Sequence, residues 1–172
     1  MDLNEKTIDR TVIYNGKIVD VEIHTVTLPN GETSTRELVY HNGAVAVCAL
    51  TPKKEVVLVK QYRKPVEKPL LEIPAGKLED DENRVEAAKR ELEEETGYIA
   101  KELTHVVDMY GSPGFCDEQL SIYFTDNLEE GTVHLDEDEF VEVIKVPIEN
   151  VKSMLMNKEI DYHCIATPII KL

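Results

Sequence analysis

The residues that could do chemistry are concentrated in a short charged segment near the middle of the chain. Residues 83–96 contain strong helix formers and no Gly or Pro, and Gly97 follows them, which predicts a helix that ends there. Glu91 and Glu95 are four residues apart and share one helix face, with Glu94 at the border of that face. Carboxylates at this spacing repel one another, so we expect a positively charged group to compensate them.

Arg90 supplies one positive charge, which can pair with Glu86 or Glu94 along the helix. Glu91 and Glu95 are then left without an obvious partner inside the helix, and their hard oxygen atoms are the ligands that Mg²⁺ or Mn²⁺ prefer. The pattern therefore predicts a divalent metal site. A run of glutamates is also typical of a solvated helix face, and the helix alone leaves that alternative open.

Fixed spacing that extends beyond the helix favours the metal site. In order, the residues at fixed spacing are Gly76, Glu82, Arg90, Glu91, Leu92, Glu94, Glu95 and Gly97. This set matches every fixed position in the signature of the Nudix hydrolases, and the sequence resembles that family. Tyr98 departs from the pattern, because the family usually has an aliphatic residue at this packing position.

The resemblance implies both a fold and a metal site. The fold class would be α+β, with a Nudix α/β/α sandwich on a mixed sheet, and the reaction would hydrolyse a nucleoside diphosphate linked to another group. The implied metal ligands are the main-chain carbonyl of Ala75 and the carboxylates of Glu91, Glu94 and Glu95. It also implies that Arg90 orients the glutamates, that Glu82 pins the preceding loop and that Gly76 supplies a turn.

Three features outside this signature resemble the ADP-ribose pyrophosphatase subgroup. Pro113 lies sixteen positions after Gly97, within the sequence Gly-Ser-Pro-Gly at 111–114. The segments 61–63 and 72–76 match those that precede the signature in the subgroup, and 36–37 with 41–45 match its amino-terminal sheet. Asn42 stands where these relatives usually have Pro. The resemblance covers about residues 5–160.

The subgroup resemblance implies a set of substrate contacts. Arg63 would bind phosphate, Glu72 would accept from a ribose hydroxyl, and Arg36 would contact the adenine across a dimer, where a flat guanidinium stacks well. The remaining substrate-binding candidates are Pro113, Gly114 and Glu118. For Glu72, an exposed strand residue without a binding role remains an equal alternative.

A general base is also implied, in the acidic segment 135–139. Glu137 occupies the place of the catalytic glutamate of the subgroup, and Glu139 is the second choice. A carboxylate must reach within about 3 Å of the attacking water, which suits a loop that closes over substrate. Without the resemblance, a solvated acidic turn would be the preferred interpretation. Glu118 is a further candidate for the base or for a ribose contact.

The elements that precede this site are mainly strands. Residues 11–50 alternate β-forming segments with Asn-Gly dipeptides at 15–16, 30–31 and 42–43, which predict tight hairpins. Alternation over 18–26 predicts one half-buried face. This small antiparallel sheet cannot hold a core alone. We assign residues 1–42 to an amino-terminal dimerisation subdomain and 43–172 to the Nudix domain, and the resemblance implies that the sheet is exchanged in a homodimer.

The remaining elements must support the charged helix. Residues 45–50 and 56–61 predict a hairpin, further strands are expected near 106–109, 120–125 and 139–146, and a second helix near 148–157. For the charged helix itself, Asp80 or Asp81 is the expected cap. Val85, Ala88 and Leu92 form its expected inward face.

Composition limits the partners and the compartment. The formal net charge of −15 repels a polyphosphate backbone, which argues against nucleic-acid binding. The apolar runs fall far short of a membrane span, so we expect no membrane partner. Cys48, Cys116 and Cys164 are widely spaced and suit neither a disulfide framework nor a zinc site, which favours a cytoplasmic location.

The resemblance therefore implies a metal-dependent homodimeric enzyme that cleaves ADP-ribose, a small-molecule nucleoside diphosphate sugar, to AMP and ribose 5-phosphate. One alternative is a pyrophosphatase for other nucleotide sugars or for dinucleotides. Another is a binding module that senses ADP-ribose without hydrolysing it. The intact glutamate cluster argues against the sensor, which need not keep mutually repelling carboxylates.

Overall fold

The computed structural model describes residues 2–135, 139–157 and 160. The predicted base Glu137 and the cysteine Cys164 lie outside these residues. The chain divides into two compact units, the first formed by Met1–Gly43 with Tyr110–Gln119 and the second by Ala44–Met109 with Leu120–Leu172. The segment 110–119, which carries Pro113, therefore groups with the amino-terminal strands.

The first unit contains a three-stranded antiparallel sheet in the order β1-β2-β3. Its strands are β1 (Lys6–Asn15), β2 (Asp20–Thr27) and β3 (Thr33–Tyr40). The predicted turn at Asn30-Gly31 is confirmed, since it joins β2 to β3 and Gly31 has a φ of 87°. The hairpin predicted at Asn42-Gly43 is wrong, because the strand that follows belongs to a different sheet.

Burial along β2 is distributed in an unexpected way. Its buried side chains are Glu22, His24 and Val26, whereas the apolar Val21 and Ile23 on the other face are only half-buried. All ten residues of β1 are exposed. The alternation predicted from the sequence is present, but within this chain the more polar face is the buried one.

The second unit is built on a seven-stranded mixed sheet with the main order β12-β5-β4-β10-β9. Strand β6 pairs with β5 and β7 pairs with β4, while β4 and β10 run parallel. The strands of this unit are β4 (Ala44–Leu50), β5 (Glu55–Arg63), β6 (Lys68–Glu72), β7 (Ala75–Lys77), β8 (Tyr98–Ala100), β9 (Thr104–Tyr110), β10 (Gln119–Thr125), β11 (Leu128–Glu130) and β12 (Val141–Pro147). The helices are α1 (Arg84–Thr96) and α2 (Ile148–Met156).

Each face of this sheet packs against one helix. Strands β4 and β5 are apolar at nearly every position, as expected for strands covered on both faces. Side chains of one parity, such as Cys48 and Leu58, join Val151 and Leu155 of α2 in one core. Those of the other parity, Val45, Val47, Ala49 and Val57, pack against Ala87, Ala88 and Leu92 of α1. The predicted α+β class and α/β/α sandwich are confirmed.

Helix α1 has the predicted end and a different start. Gly97 caps its carboxyl end with a φ of 71°, a conformation that glycine adopts without steric cost. The amino-terminal cap is Asn83, whose side chain accepts from the backbone N–H groups of Val85 and Glu86. The caps predicted at Asp80 or Asp81 are wrong, and Asp81 instead lies in the loop with a φ of 61°. Neither helix in the described part of the chain is long and apolar enough to cross a membrane.

Candidate active site

Strand β7 and helix α1 meet at the predicted metal ligands. The backbone N–H of Ala75 donates to Glu95 Oε2 over 3.0 Å. Beside it, a Cβ atom on Gly76 would lie 1.9 Å from Glu91 Cδ, which is far inside van der Waals contact. Gly76 therefore has a steric role, and the turn predicted for it is wrong because it lies within β7 without a positive φ.

Arg90 donates hydrogen bonds to three carboxylates beside this contact between β7 and α1. Its Nε and Nη2 donate to the two oxygens of Glu82, each at 2.9 Å. Its Nη1 donates to Glu91 Oε1 and to Glu94 Oε2, also at 2.9 Å each. The pairing with Glu94 is as predicted, whereas the expectation that Glu91 has no partner on the helix is wrong.

The contact between Arg90 and Glu82 also holds the loop before α1. Glu82 accepts a third hydrogen bond, from the backbone N–H of Glu79 at 3.1 Å, so its carboxylate joins the loop to Arg90. The bidentate contact with Arg90 is the main reason that the pKa of Glu82 is lowered. Glu82 thus remains ionised and engaged with protein groups.

The direction of the pKa shift distinguishes buried Glu95 and half-buried Glu91 from Glu82. Glu95 is 3% exposed, and burial raises its pKa to about 8, with the charges of Glu91 and Glu139 adding to the effect. The Ala75 N–H opposes this shift. Burial also raises the pKa of Glu91, against the attraction of Arg90. Burial therefore disfavours the charged form of both carboxylates, and their acidic neighbours add to that effect.

The donor set suits a divalent cation. Arg90 engages one oxygen each of Glu91 and Glu94, and Ala75 engages one oxygen of Glu95. Among the described residues, no three acidic, His or Cys side chains are already gathered as a metal-binding group. The carboxylates fit a hard cation by their chemistry, and small side-chain movements would be needed to bring them onto one ion.

Arg63 and Glu72, both predicted to bind substrate, are partners of each other. Arg63 Nε donates to Glu72 Oε2 over 2.9 Å where β5 pairs with β6. The charge of Arg63 also lowers the pKa of Glu95, as a smaller contribution than burial. Arg63 thus lies within electrostatic reach of Glu95, one of the predicted metal ligands.

The chain before the predicted base segment is fastened to the end of α1. The backbone N–H of Gly131 donates to the Gly97 carbonyl at 2.6 Å, and that of His134 donates to the Glu94 carbonyl at 3.0 Å. The charge of Glu139, at the end of that segment, raises the pKa of Glu91 and of Glu95. These anchors were missed by sequence reasoning, because backbone contacts leave no signal in residue type.

The other predicted substrate residues belong to the first unit. Arg36 forms a bidentate pair with Glu5, at 2.8 and 2.5 Å. Pro113 and Gly114 line a cleft together with residues of β3. Glu118 lies 3.9 Å from His41 Nδ1 and keeps 42% of its side chain exposed.

A second residue that sequence reasoning missed is Arg84, at the first position of α1. Its Nη1 contacts Ser121 Oγ at 3.0 Å and the Ala44 carbonyl at 3.4 Å. The available signal was a positive charge at a helix amino terminus, where the helix dipole disfavours it.

Comparison with known proteins places these features in context. A family model described as the NUDIX domain matches residues 40–167. The chain is 48% identical over 160 residues to an ADP-ribose pyrophosphatase of Bacillus subtilis strain 168, covering 92% of this chain and 86% of that protein. It is 46% identical over 158 residues to a methanol dehydrogenase activator of Bacillus methanolicus, covering 91% and 85%.

More distant relatives agree with this result. An ADP-ribose pyrophosphatase of Mycobacterium tuberculosis strain H37Rv is 36% identical over 126 residues, which cover 73% of this chain and 61% of that protein. A crystal structure of an ADP compounds hydrolase superposes with a TM-score of 0.78 at 22% identity, covering 91% of this chain and 85% of that one. This last likeness shows that the fold is shared.

Proposed function

The chain belongs to the Nudix hydrolase family, and we propose that it hydrolyses the pyrophosphate bond of ADP-ribose to give AMP and ribose 5-phosphate. The observation that carries the hydrolase function is the glutamate cluster of α1, held by Arg90 and seated against Ala75 of β7. The substrate is proposed from the names of the similar pyrophosphatases and from the subgroup features around Pro113.

We propose Mg²⁺, or Mn²⁺ in its place, as the cofactor, held by Glu91, Glu94, Glu95 and the carbonyl of Ala75. When bound, such an ion would neutralise phosphoryl oxygens and lower the pKa of the attacking water. Arg90 then has a positioning role, because its guanidinium fixes one oxygen of both Glu91 and Glu94.

The proposed substrate contacts place charge and hydrogen bonds where the ligand needs them. Arg63 would bind the pyrophosphate and supply a local positive charge in a strongly acidic protein. To do so it shares or releases Glu72, which becomes available for a ribose hydroxyl. Arg36 is proposed for the adenine. Pro113, Gly114 and Glu118 are proposed to shape the ribose side of the site.

We propose Glu137 as the general base, with Glu139 as the second choice. The anchors at Gly131 and His134 support this assignment, because they fix the start of the base segment beside α1. The proton of the attacking water would pass to a carboxylate on that segment.

Dimerisation is proposed from the first unit. The exposed β1 carries the apolar side chains Ile8, Val12, Ile13 and Tyr14, each more than half exposed in one chain. A second copy of the chain is the occupant that we propose for this surface, with residues 1–42 as the dimerisation subdomain. The cytoplasmic location predicted from cysteine spacing stays a prediction.

A substrate panel with Mg²⁺ tests the proposed reaction. We expect the wild-type protein to release AMP from ADP-ribose faster than from other nucleotide sugars or dinucleotides. Glu95→Gln should stay folded and lose about 10²–10³-fold in kcat, since a buried ligand carboxylate is lost. Glu86→Gln is the matched control, because Glu86 is exposed on the same helix and pairs only with Lys89 among the contacts described.

The same assay separates the alternatives. If the wild-type protein binds ADP-ribose with Mg²⁺ and yields no AMP over hours, the sensor replaces the enzyme. Unchanged turnover of Glu95→Gln in saturating Mg²⁺ would contradict the metal assignment.

The relative named as a methanol dehydrogenase activator favours a second candidate function, regulation of a dehydrogenase. Addition of the purified chain to methanol dehydrogenase would test it.

The base assignment is tested by comparing two variants. Glu137→Gln should lower kcat by about 10²–10⁴-fold with little change in substrate affinity, because a transition-state interaction is removed. Glu139→Gln should do less. Relief of charge repulsion alone would leave turnover at saturating substrate equal or faster. If Glu139→Gln or Glu118→Gln abolishes turnover while Glu137→Gln keeps it, the choice of base is wrong.

A further inference from the structure

Arg84 occupies an unfavourable position unless its charge has a specific use. It is the first residue of α1, where the helix dipole disfavours a cation and where Pro or an acidic residue is usual. Its Nη1 lies 3.0 Å from Ser121 Oγ of β10 and 3.4 Å from the carbonyl oxygen of Ala44 in β4. The guanidinium therefore joins the start of the helix to two neighbouring parallel strands.

The contact with Ser121 continues into a third strand. Ser121 is 1% exposed, and its hydroxyl donates to Asp108 Oδ1 of β9 over 2.5 Å. The same carboxylate oxygen lies 3.0 Å from His105 Nε2. Because the hydroxyl has only one proton, donation to Asp108 leaves its lone pairs to accept from Arg84. The contacts thus run in one consistent direction from Arg84 to Asp108.

Apolar packing alone gives α1 little directional restraint near its start. The buried side chains of its first two turns are Ala87 and Ala88, whose single methyl groups allow close approach to β4. Methyl contacts are weakly directional, and they tolerate rotation of a helix about its axis better than interlocking large side chains do. Hydrogen bonds at the helix ends add directional restraint that these methyl contacts lack.

The two ends of α1 are held by two strands that pair with each other, the start by β4 and the carboxyl end by β7. Arg84 holds the start of the helix to Ala44, and Ala44 pairs with Lys77 of β7. Ala75, at the other end of β7, holds Glu95 near the carboxyl end of the helix. A closed ring of contacts therefore fixes the helix against the strand that carries the proposed metal-binding carbonyl.

We propose that Arg84 is a positioning residue, which sets the orientation of α1 so that Glu91 and Glu95 meet β7 in a geometry that binds metal. At 1.5 Å of rise per residue, Glu91 lies about 10 Å along the helix from Arg84, so Arg84 acts through the rigid helix and not by contact. The proposal rests on the metal role assigned to these glutamates above.

Binding of Mn²⁺ to the substrate-free protein, followed by electron paramagnetic resonance, is the primary test. Arg84→Met keeps the length and apolar stem of the side chain and removes its donors. We expect Mn²⁺ affinity to fall about tenfold and kcat for ADP-ribose to fall about 10–10²-fold, with KM for ADP-ribose within about twofold of wild type. Lys89→Met is the matched control on the same helix, since Lys89 pairs with Glu86 outside this ring.

Two further variants keep the test decisive if Arg84→Met folds poorly. Arg84→Lys retains one charged donor group and should recover part of the Mn²⁺ affinity, whereas Ser121→Ala keeps the Ala44 contact and should lose less than Arg84→Met. Each value is compared with the folded fraction from thermal melting.

The possible failures point to different errors. Mn²⁺ affinity and kcat within twofold of wild type in a folded Arg84→Met protein would overturn the positioning role. So would equal losses in Lys89→Met, or losses that match the unfolded fraction. If the wild-type protein itself binds no Mn²⁺, the metal site falls first, and the positioning role with it.

Discussion

At the scale of single residues, the proposed metal site depends on close contact between the backbone of β7 and the carboxylate of Glu91. Gly76 leaves no room for a Cβ atom, because Glu91 occupies that space. Substitution of Gly76 therefore tests whether activity requires this close contact between β7 and α1. A side chain as small as a methyl group would force either Glu91 or the strand to move.

Gly76→Ala should therefore destabilise the protein by about 1 kcal/mol and lower kcat sharply, because the Glu91 carboxylate must move away from Arg90. The unfolding free energy from urea denaturation and the steady-state rate are the measurements. In a Glu91→Ala background the same substitution should cost little stability, since the obstructing carboxylate is gone. Equal costs in both backgrounds would show that contact with Glu91 is not the reason for glycine.

That the glutamates of α1 share one helix face could be predicted from the sequence, whereas most of their hydrogen-bond partners could not. Spacing along one helix fixes which side chains share a face, so Glu91, Glu94 and Glu95 were recognisable together. The sequence does not specify how a guanidinium divides its donors. Arg90 bonds simultaneously to Glu82, across the loop, and to two helix glutamates, and this arrangement depends on how the loop folds back.

At the scale of elements, the hydrogen bonds that link Arg84, Ser121 and Asp108 stabilise the contact of α1 with β10 and β9. Hydrogen bonds from Ser121 and His105 hold the pKa of Asp108 below its usual range, with Arg84 adding a smaller attraction. Tyr123, a further titratable neighbour, has a raised pKa, mainly through burial and then through the charge of Asp108.

This arrangement predicts the sign of a pH dependence. A carboxylate with a lowered pKa in the folded state stabilises the protein above its unfolded pKa, and the stabilisation is lost as the pH falls through the folded value. Ser121→Ala should therefore lower the unfolding free energy by about 1 kcal/mol at neutral pH, because Asp108 is 44% exposed and water screens its charge, and this difference from wild type should shrink in acid. Urea denaturation at a series of pH values measures it.

Asp108→Asn provides the control, because it removes the titrating group while keeping a similar shape. In that background the effect of Ser121→Ala should show much less change with pH. A difference between wild type and Ser121→Ala that stays constant from neutral pH down to the acid limit would contradict the proposed coupling to Asp108.

Element existence was more predictable than element boundaries and connections. The apolar runs of β4 and β5 indicated buried strands directly. The cap of α1 was misplaced because three polar residues near its start can all accept backbone hydrogen bonds, and only the loop path selects Asn83. The Asn42-Gly43 dipeptide does not form the predicted hairpin because it lies between strands of two different sheets.

At the scale of the whole molecule, the first unit has an apolar surface that one chain leaves accessible. Strand β1 is exposed along its full length, and the more apolar face of β2 is only half-buried. Three strands with so little covered apolar surface make a weak core by themselves. On the opposite face of β2, Oε2 of the buried Glu22 lies 2.7 Å from Nε2 of the buried His24. Hydrogen bonding therefore contributes there in place of apolar packing.

The second copy proposed for this surface predicts a dimer at assay concentrations. Ile13→Asp and, separately, Ile8→Asp would place an unpaired charge in the interface and should weaken association by about 10²-fold or more. Sedimentation equilibrium measures the change in mass. Met156→Asp is the matched control, because Met156 is an exposed apolar side chain of the second unit and its substitution should leave the dimer intact.

Activity decides whether the dimer also completes the site. If Arg36 contacts the adenine across the interface, the monomeric variants should show a higher KM for ADP-ribose. Their Mn²⁺ affinity should stay near that of wild type, because the proposed metal ligands all lie in the second unit. Arg36→Ala should raise KM similarly without changing the mass. A monomeric variant with wild-type KM and kcat would overturn the cross-subunit role of Arg36. If the wild-type protein is itself a fully active monomer, the proposal that the amino-terminal sheet is exchanged is wrong.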